Sequence, residues 1–194
     1  MPHCYIIAGP NGAGKTTASL TILPEILDCR EFVNADAIAA GLSPLDPDSM
    51  ALKAGRLMLE RIDRLIAAGS DFAFETTLAT RSYVQLIRTA QQKGYWVTLL
   101  YFWLSSPEFA RRRVMDRVRK GGHHIPDDIV GRRFYRGITN LCRLYMGSCD
   151  DWAIFDNRTK DSKIVAVGGK DVAGMIVNRD IYNTILLQSK HDDK

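Results

Sequence analysis

Gly9-Pro10-Asn11-Gly12-Ala13-Gly14-Lys15-Thr16 follows the apolar run Tyr5-Ile6-Ile7-Ala8 and opens a stretch of helical period reaching about Ile26. It matches G-x-x-x-x-G-K-[ST] in the strand, turn and helix setting that the pattern requires. Glycines let such a turn curl until successive backbone N–H groups face inward, and the helix start adds the positive end of its dipole. Together they cradle di- and triphosphate oxygens. The expected nucleotide-binding residues are therefore Gly9, Pro10, Asn11, Gly12, Ala13, Gly14, Lys15, Thr16 and Thr17. Lys15 reaches the β- and γ-phosphates, and the Thr16 hydroxyl takes the Mg²⁺ that bridges them.

Outward from this loop, short β-rich runs alternate with longer stretches of helical period. Cys4–Ala8, Glu31–Ala35, Asp71–Glu75, Trp96–Leu104 and Trp152–Phe155 read as strands, with a sixth over Ser162–Val167. Helices are expected over Pro47–Ala68, Tyr83–Lys93, from Pro107 behind the cap Ser106, over Asp127 to about Met146, and over Arg179–Gln188. Strands too apolar to keep a wet face, each followed by a crossover helix, predict a three-layer α/β/α domain around a parallel sheet. Residues 1–188 read as one P-loop domain and Ser189–Lys194 as a polar tail expected to fray.

Composition agrees and narrows the classes. The chain has 194 residues, 46% hydrophobic and 25% charged, enough for one sizeable core. A net charge of +4 is too mild for a polybasic binder. Cys4, Cys29, Cys142 and Cys149 have no metal-ligand or disulfide-framework spacing, which fits a reducing, cytoplasmic setting. The longest apolar run, Trp96–Leu104, is about half of the roughly 20 residues a membrane helix needs, so no membrane partner is expected. Pro10-Asn11-Gly12 interrupts the N-terminal stretch before a signal peptide could form, and the mature chain is expected to begin at Met1.

Other P-loop classes lack support. Asn157-Arg158-Thr159-Lys160-Asp161 has the wrong spacing for N-K-x-D, no L-S-G-G-Q is present, and no apolar run ends in Asp-Glu as in motor or AAA-type ATPases. Instead Asp36 and Glu75 follow strands two and three, on the sheet edge where α/β folds bind ligands. Asp36 reads two ways, as the base that takes a proton from an attacking hydroxyl or as the cap of a short helix beginning near Ala37. Glu75-Thr76-Thr77 offers an acid and two hydroxyls for a polyhydroxylated acceptor or a metal-bound water, or starts a helix.

From Arg111 to Arg136 nine Lys and Arg face three Asp, leaving −2 for the rest of the chain. Most of these charges suit a solvated helix face beside the stripe Ala110, Val114 and Val118. Gly121-Gly122-His123-His124-Ile125-Pro126 then breaks the helix, and arginines on both sides of such a loop suit a lid, about 119–136, closing over phosphates and excluding water. The same arginines could track a nucleic-acid backbone, although Phe134 and Tyr135 lie partly on the core side. His123 and His124 suit a loop better than a metal, and the turn Asp156-Asn157-Arg158 is a candidate for holding adenine.

GPNGAGKTT at 9–17, NADAIAAGLSP at 34–44, FETTL at 74–78 and GGHHIPDDIVGRRFYRGITNL at 121–141 together resemble the zeta toxin family of P-loop kinases. The short bacterial branch, often labelled predicted ABC-type ATPase, is the most similar. The resemblance implies ATP as donor, with Lys15 and Thr16 on ATP and Mg²⁺ and Asp36 as base. Glu75, with Thr76 and Thr77 in its block, would lie near a UDP-N-acetylglucosamine-like acceptor, and Arg119 with Arg132 or Arg133 on the phosphates. It also implies restraint by a small antitoxin. The acid block departs from the family, reading Glu-Thr-Thr where zeta toxins read closer to Glu-Gly-Thr. The expected function is ATP-dependent phosphorylation of a nucleotide-sugar hydroxyl; the alternatives are a nucleic-acid-associated nucleotide switch and an ATP-binding partner protein without turnover.

Overall fold

Strand β1 (His3–Ala8) runs through the middle of a seven-stranded sheet, and both its faces are buried, one through Cys4, Ile6 and Ala8 and the other through Tyr5 and Ile7. Cover on both faces is the reason this run shows no polar alternation. The computed structural model describes residues 1–122, 124–159, 161–171 and 173–191. The sheet order is β2 (Phe32–Val33), β3 (Phe72–Thr76), β1, β4 (Trp96–Trp103), β5 (Asp151–Asp156), β6 (Lys163–Gly169) and β7 (Met175–Ile176). The first five are parallel. β6 and β7 add to the edge antiparallel, a departure from the all-parallel expectation.

The helices are α1 (Lys15–Glu25), α2 (Ala35–Leu42), α3 (Ala51–Ala68), α4 (Tyr83–Gln92), α5 (Pro107–Arg119), α6 (Asp127–Asn140), α7 (Met146–Ser148) and α8 (Arg179–Gln188). They complete the three-layer α/β/α P-loop kinase-like fold. β1 leads through α1 toward β2 on one side, whereas β4 leads through α5 to α7 toward β5 on the other. The carboxyl ends of β1 and β4 therefore diverge and leave the crevice in which open α/β sheets hold ligands. No helix among the described residues is long and apolar enough to cross a membrane.

Local chemistry explains where elements begin. Ser106 caps α5 by accepting from the Phe109 amide at 3.2 Å, with Pro107 in the first turn. The expected strand 31–35 is cut to Phe32–Val33 because Asn34 turns the chain into α2, its Oδ1 accepting from the amides of Asp36 and Ala37 at 2.8 and 3.2 Å. The long helix expected over 127–146 is interrupted by a π-helical turn at Leu141–Tyr145. Of the polar tail 189–194, residues 192–194 lie outside the described residues; Ser189 is buried and the His191 ring stacks on Tyr135 at 3.8 Å.

Candidate active site

The phosphate loop is shaped by how closely backbone approaches backbone. Gly9 has φ +144°, and a Cβ there would lie 2.4 Å from the Phe102 carbonyl oxygen. Gly12 has φ +78°, and its Cβ would lie 2.8 Å from the Ala110 oxygen, so α5 sits directly on the loop. Only glycine meets both demands. Asn157, buried just after β5, donates its Nδ2 to the Ala13 carbonyl while its own amide bonds Trp103 O at 3.0 Å. The turn proposed from sequence for adenine thus holds the loop with Asn157, and Arg158 pairs with Asp156 at 2.8 Å above the Trp103 ring. α1 has no side-chain cap, which leaves its first amides for an anion.

Lys15 is only 5% exposed. Its Nζ donates to Pro10 O at 3.1 Å and lies 3.5 Å from Glu75 Oε1. Thr16 Oγ1 and Asn34 Nδ2 both donate to Glu75 Oε2, at 2.7 and 2.8 Å. Burial lowers the Lys15 pKa, and the nearby Glu75 and Asp36 carboxylates oppose that shift. Glu75 lies inside β3 beside Ile7 of β1, so it is no helix start, and it faces the phosphate loop's Lys15 and Thr16. A hard oxygen-seeking cation fits these donors: Thr16 would hold Mg²⁺, with the Glu75 carboxylate behind it. Among the described residues no group of three His, Cys, Asp or Glu is placed to hold a metal.

Asp36 is relieved of capping, since Asn34 does that work. It lines the cavity over the phosphate loop, about 670 Å³, together with Lys15, Thr16 and Thr17. It also lines two adjoining cavities, one of about 270 Å³ with Thr76, Thr77 and Arg133 and one of about 410 Å³ with His124, Ile125 and Arg133. Asn11 lines the first two, and its buried Oδ1 has no hydrogen-bond partner among the described residues. The segment carrying Thr76 and Thr77 is clamped by α6. Gly137 lets α6 approach until a Cβ would lie 2.3 Å from Thr77 O, and Asn140 Nδ2 donates to Leu78 O at 2.7 Å.

The basic residues divide differently from expectation. Arg113, Arg117 and Lys120 line the phosphate cavity, a spacing of four and three residues that puts them on one helix face. Arg119, two residues beyond Arg117 and hence across the helix, is 78% exposed on its side chain and pairs with Asp116 at 3.4 Å. It is not among the residues lining that cavity. Arg133 lines the cavities beside Asp36, whereas Arg132 is exposed. Reading the face of α5, rather than counting arginines near its end, would have found Arg117 and Lys120. His123 lies outside the described residues.

A family model described as AAA domain (AAA_33) matches residues 5–133. An uncharacterised protein of Haemophilus influenzae is 31% identical over 126 residues, which is 65% of this chain and 88% of that protein. Among solved structures, the AvrRxo1-ORF1:-ORF2 complex with ATP superposes with a TM-score of 0.77 at 15% identity, covering 100% of this chain and 66% of that one. A structure from the PezAT chromosomal toxin-antitoxin system of Streptococcus pneumoniae gives 0.66 at 16% identity, over 98% and 85% of the two chains. A gluconokinase from Sinorhizobium meliloti gives 0.52 at 14%, over 97% and 91%. At these identities the structural likeness is one of fold.

Proposed function

The chain belongs to the AAA domain family, and we propose that it is an ATP- and Mg²⁺-dependent kinase that phosphorylates a hydroxyl of a nucleotide sugar or similar small metabolite, as zeta toxins do. The single acid Glu75, bonded to Thr16, stands at the end of the strand beside β1. One observation carries the kinase reading. Asp36, relieved of capping, stands on the wall shared by the phosphate-loop cavity and the two cavities next to it.

In this reading the acceptor hydroxyl enters from the Thr76–Thr77 side and its oxygen attacks the γ-phosphorus. The bond from that phosphorus to the β,γ-bridging oxygen breaks, ADP leaves, and the hydroxyl proton passes to the Asp36 carboxylate. Lys15 and Arg117 face the phosphates, and Asn11 Oδ1 is available to an acceptor hydroxyl. Mg²⁺, held through Thr16, would neutralise phosphate charge. Residues 119–136 act as the lid over a domain spanning 1–188, with Arg133 rather than Arg119 or Arg132 reaching the reacting groups. The ATP in the AvrRxo1 complex supports ATP as donor, and the PezAT system supports a protein antitoxin as partner.

Incubation with ATP and a metabolite extract, followed by mass spectrometry, should reveal a new phosphorylated species, with UDP-N-acetylglucosamine the first pure acceptor to try. Asp36→Asn should lower that turnover by about 10² to 10⁴ while ATP binding persists. Release of free phosphate alone, or full turnover in the variant, would overturn the kinase reading.

A further inference from the structure

In the wall of the cavity beside Asp36 the backbone adopts a conformation that its residue disfavours. Leu78, just after β3, has φ +57° and is fully buried. In the left-handed region the Cβ of an L-residue crowds the following carbonyl, and leucine has no polar group to compensate. Such a turn persists only where its surroundings hold it. Thr76, Thr77, Ala79 and Thr80, on either side of Leu78, line the 270 Å³ cavity.

The hold comes from inside the turn and from behind it. Inside, the Leu78 amide donates to Thr76 Oγ1 at 3.0 Å. From behind, the buried Asn140 donates Nδ2 to Leu78 O at 2.7 Å, and the buried Tyr145 donates its hydroxyl to Thr80 O at 2.6 Å. Asn140 ends α6 and Tyr145 ends the π-helical turn that follows it. In an α-helix side chains at this spacing would stand about 140° apart around the axis. The π-turn, in which the Met146 amide donates to Leu141 O, instead stacks residues five apart on one side. The break in the helix thus brings both donors onto one segment.

We propose that Asn140 and Tyr145 are positioning residues for the acceptor: by holding the Leu78 and Thr80 carbonyls they keep residues 76–80 in a strained turn, and so fix the wall along which the acceptor hydroxyl reaches Asp36. Neither is among the residues lining the phosphate-loop cavity. Loss of either bond lets Leu78 relax toward negative φ, which shifts the acceptor wall and leaves the nucleotide in place. The acceptor role rests on the kinase reading; the hold on the turn does not.

Tyr145→Phe keeps the ring in the core and removes only the hydroxyl. Amide hydrogen exchange of the whole protein, read by mass spectrometry, should quicken about fivefold or more across residues 76–82 and stay unchanged across 9–17. With the metabolite extract as acceptor source, serially diluted at saturating ATP, the amount of extract giving half-maximal phosphorylation should rise about fivefold. Because only acceptor binding is lost, the plateau rate and the KM for ATP should change less than about twofold. Asn140→Ala, which frees the Leu78 carbonyl, should act in the same direction, with unchanged AMP-PNP affinity certifying its fold.

Exchange over 76–82 indifferent to both substitutions, or a plateau rate or ATP KM that moves while half-saturation by the extract does not, would overturn the positioning role. The two readings fail separately. Phosphorylation abolished by Asp36→Asn, with half-saturation unmoved by Tyr145→Phe, leaves the kinase and removes the positioning. If the wild-type protein phosphorylates nothing in the extract, the kinase reading falls and takes the acceptor role with it, and exchange alone decides whether the end of α6 and its π-turn hold the strained segment.

Discussion

The two sides of Asp36 are built by opposite means. On the phosphate-loop side, shape comes from backbone: Gly9 and Gly12 pressed against carbonyls of β4 and α5, with Asn157 pinning Ala13. On the other side it comes from side chains: Thr76 and Thr77, on a segment that α6 clamps, and Arg133, from α6 itself. The backbone-built side admits no Cβ at Gly9 or Gly12 without a shift of the loop. The other can change side chains without pressing backbone on backbone, and in the kinase reading proposed above it is where acceptor choice resides.

The sharpest break of this contrast is Gly9→Ala. A Cβ 2.4 Å from Phe102 O at φ +144° forces the loop off β4, and a stability loss of about 3 kcal/mol or more is expected together with lost ATP binding. Thermal melting should fall by roughly 6–12 °C. A normal melt with normal nucleotide affinity would show that the loop is not backbone-locked.

Arginine substitutions on the other side should move catalysis and spare the fold. Arg133→Ala is expected to lower turnover by about 10², and Arg119→Ala, exposed and paired with Asp116, to change it less than about twofold. Steady-state rates with the acceptor that the metabolite screen reveals decide this. The reverse ranking would return the lid to the residues first expected.

The smallest effect belongs to neither side. Asp150, at the far end of β5, accepts from the Val97 amide at 2.8 Å, from Lys170 at 2.9 Å and from Gln91. Burial alone would raise its pKa, but these donors outweigh it and hold it below the ordinary aspartate value. A depressed folded pKa stabilises above the unfolded value and loses that contribution as pH falls through the folded one. Asp150→Asn should therefore cost about 1–2 kcal/mol at pH 7, with the gap closing below about pH 4 and turnover unaffected. Urea melts at pH 7 and pH 3 measure it. A gap independent of pH would mean that packing, not charge, holds this corner.

Sequence reading reached what is local. The loop, the Ser106 start of α5 and the five parallel strands follow from residue types within a few positions of one another. It misjudged what depends on competition or distance. Asn34 and Asp36 are both good caps, and only the observed turn shows that Asn34 takes the amides. β7 is two residues long, too short for alternation to register. The direction of β6 was not encoded in its own residues. Arg119 and Arg117 look alike in a charge count, and helical rotation relative to the loop separates them.

What the amino-acid order determined by itself is a phosphate-binding turn between a buried strand and a helix, because glycine conformations and inward N–H groups are properties of eight consecutive residues. Only tertiary structure decided which carboxylate and which arginines face that turn. Asp36, Glu75, Arg117 and Arg133 come from four separate segments, and their meeting depends on strand order, on the Asn34 cap and on α6 closing over residues 77–80, where the interacting partners lie tens of residues apart.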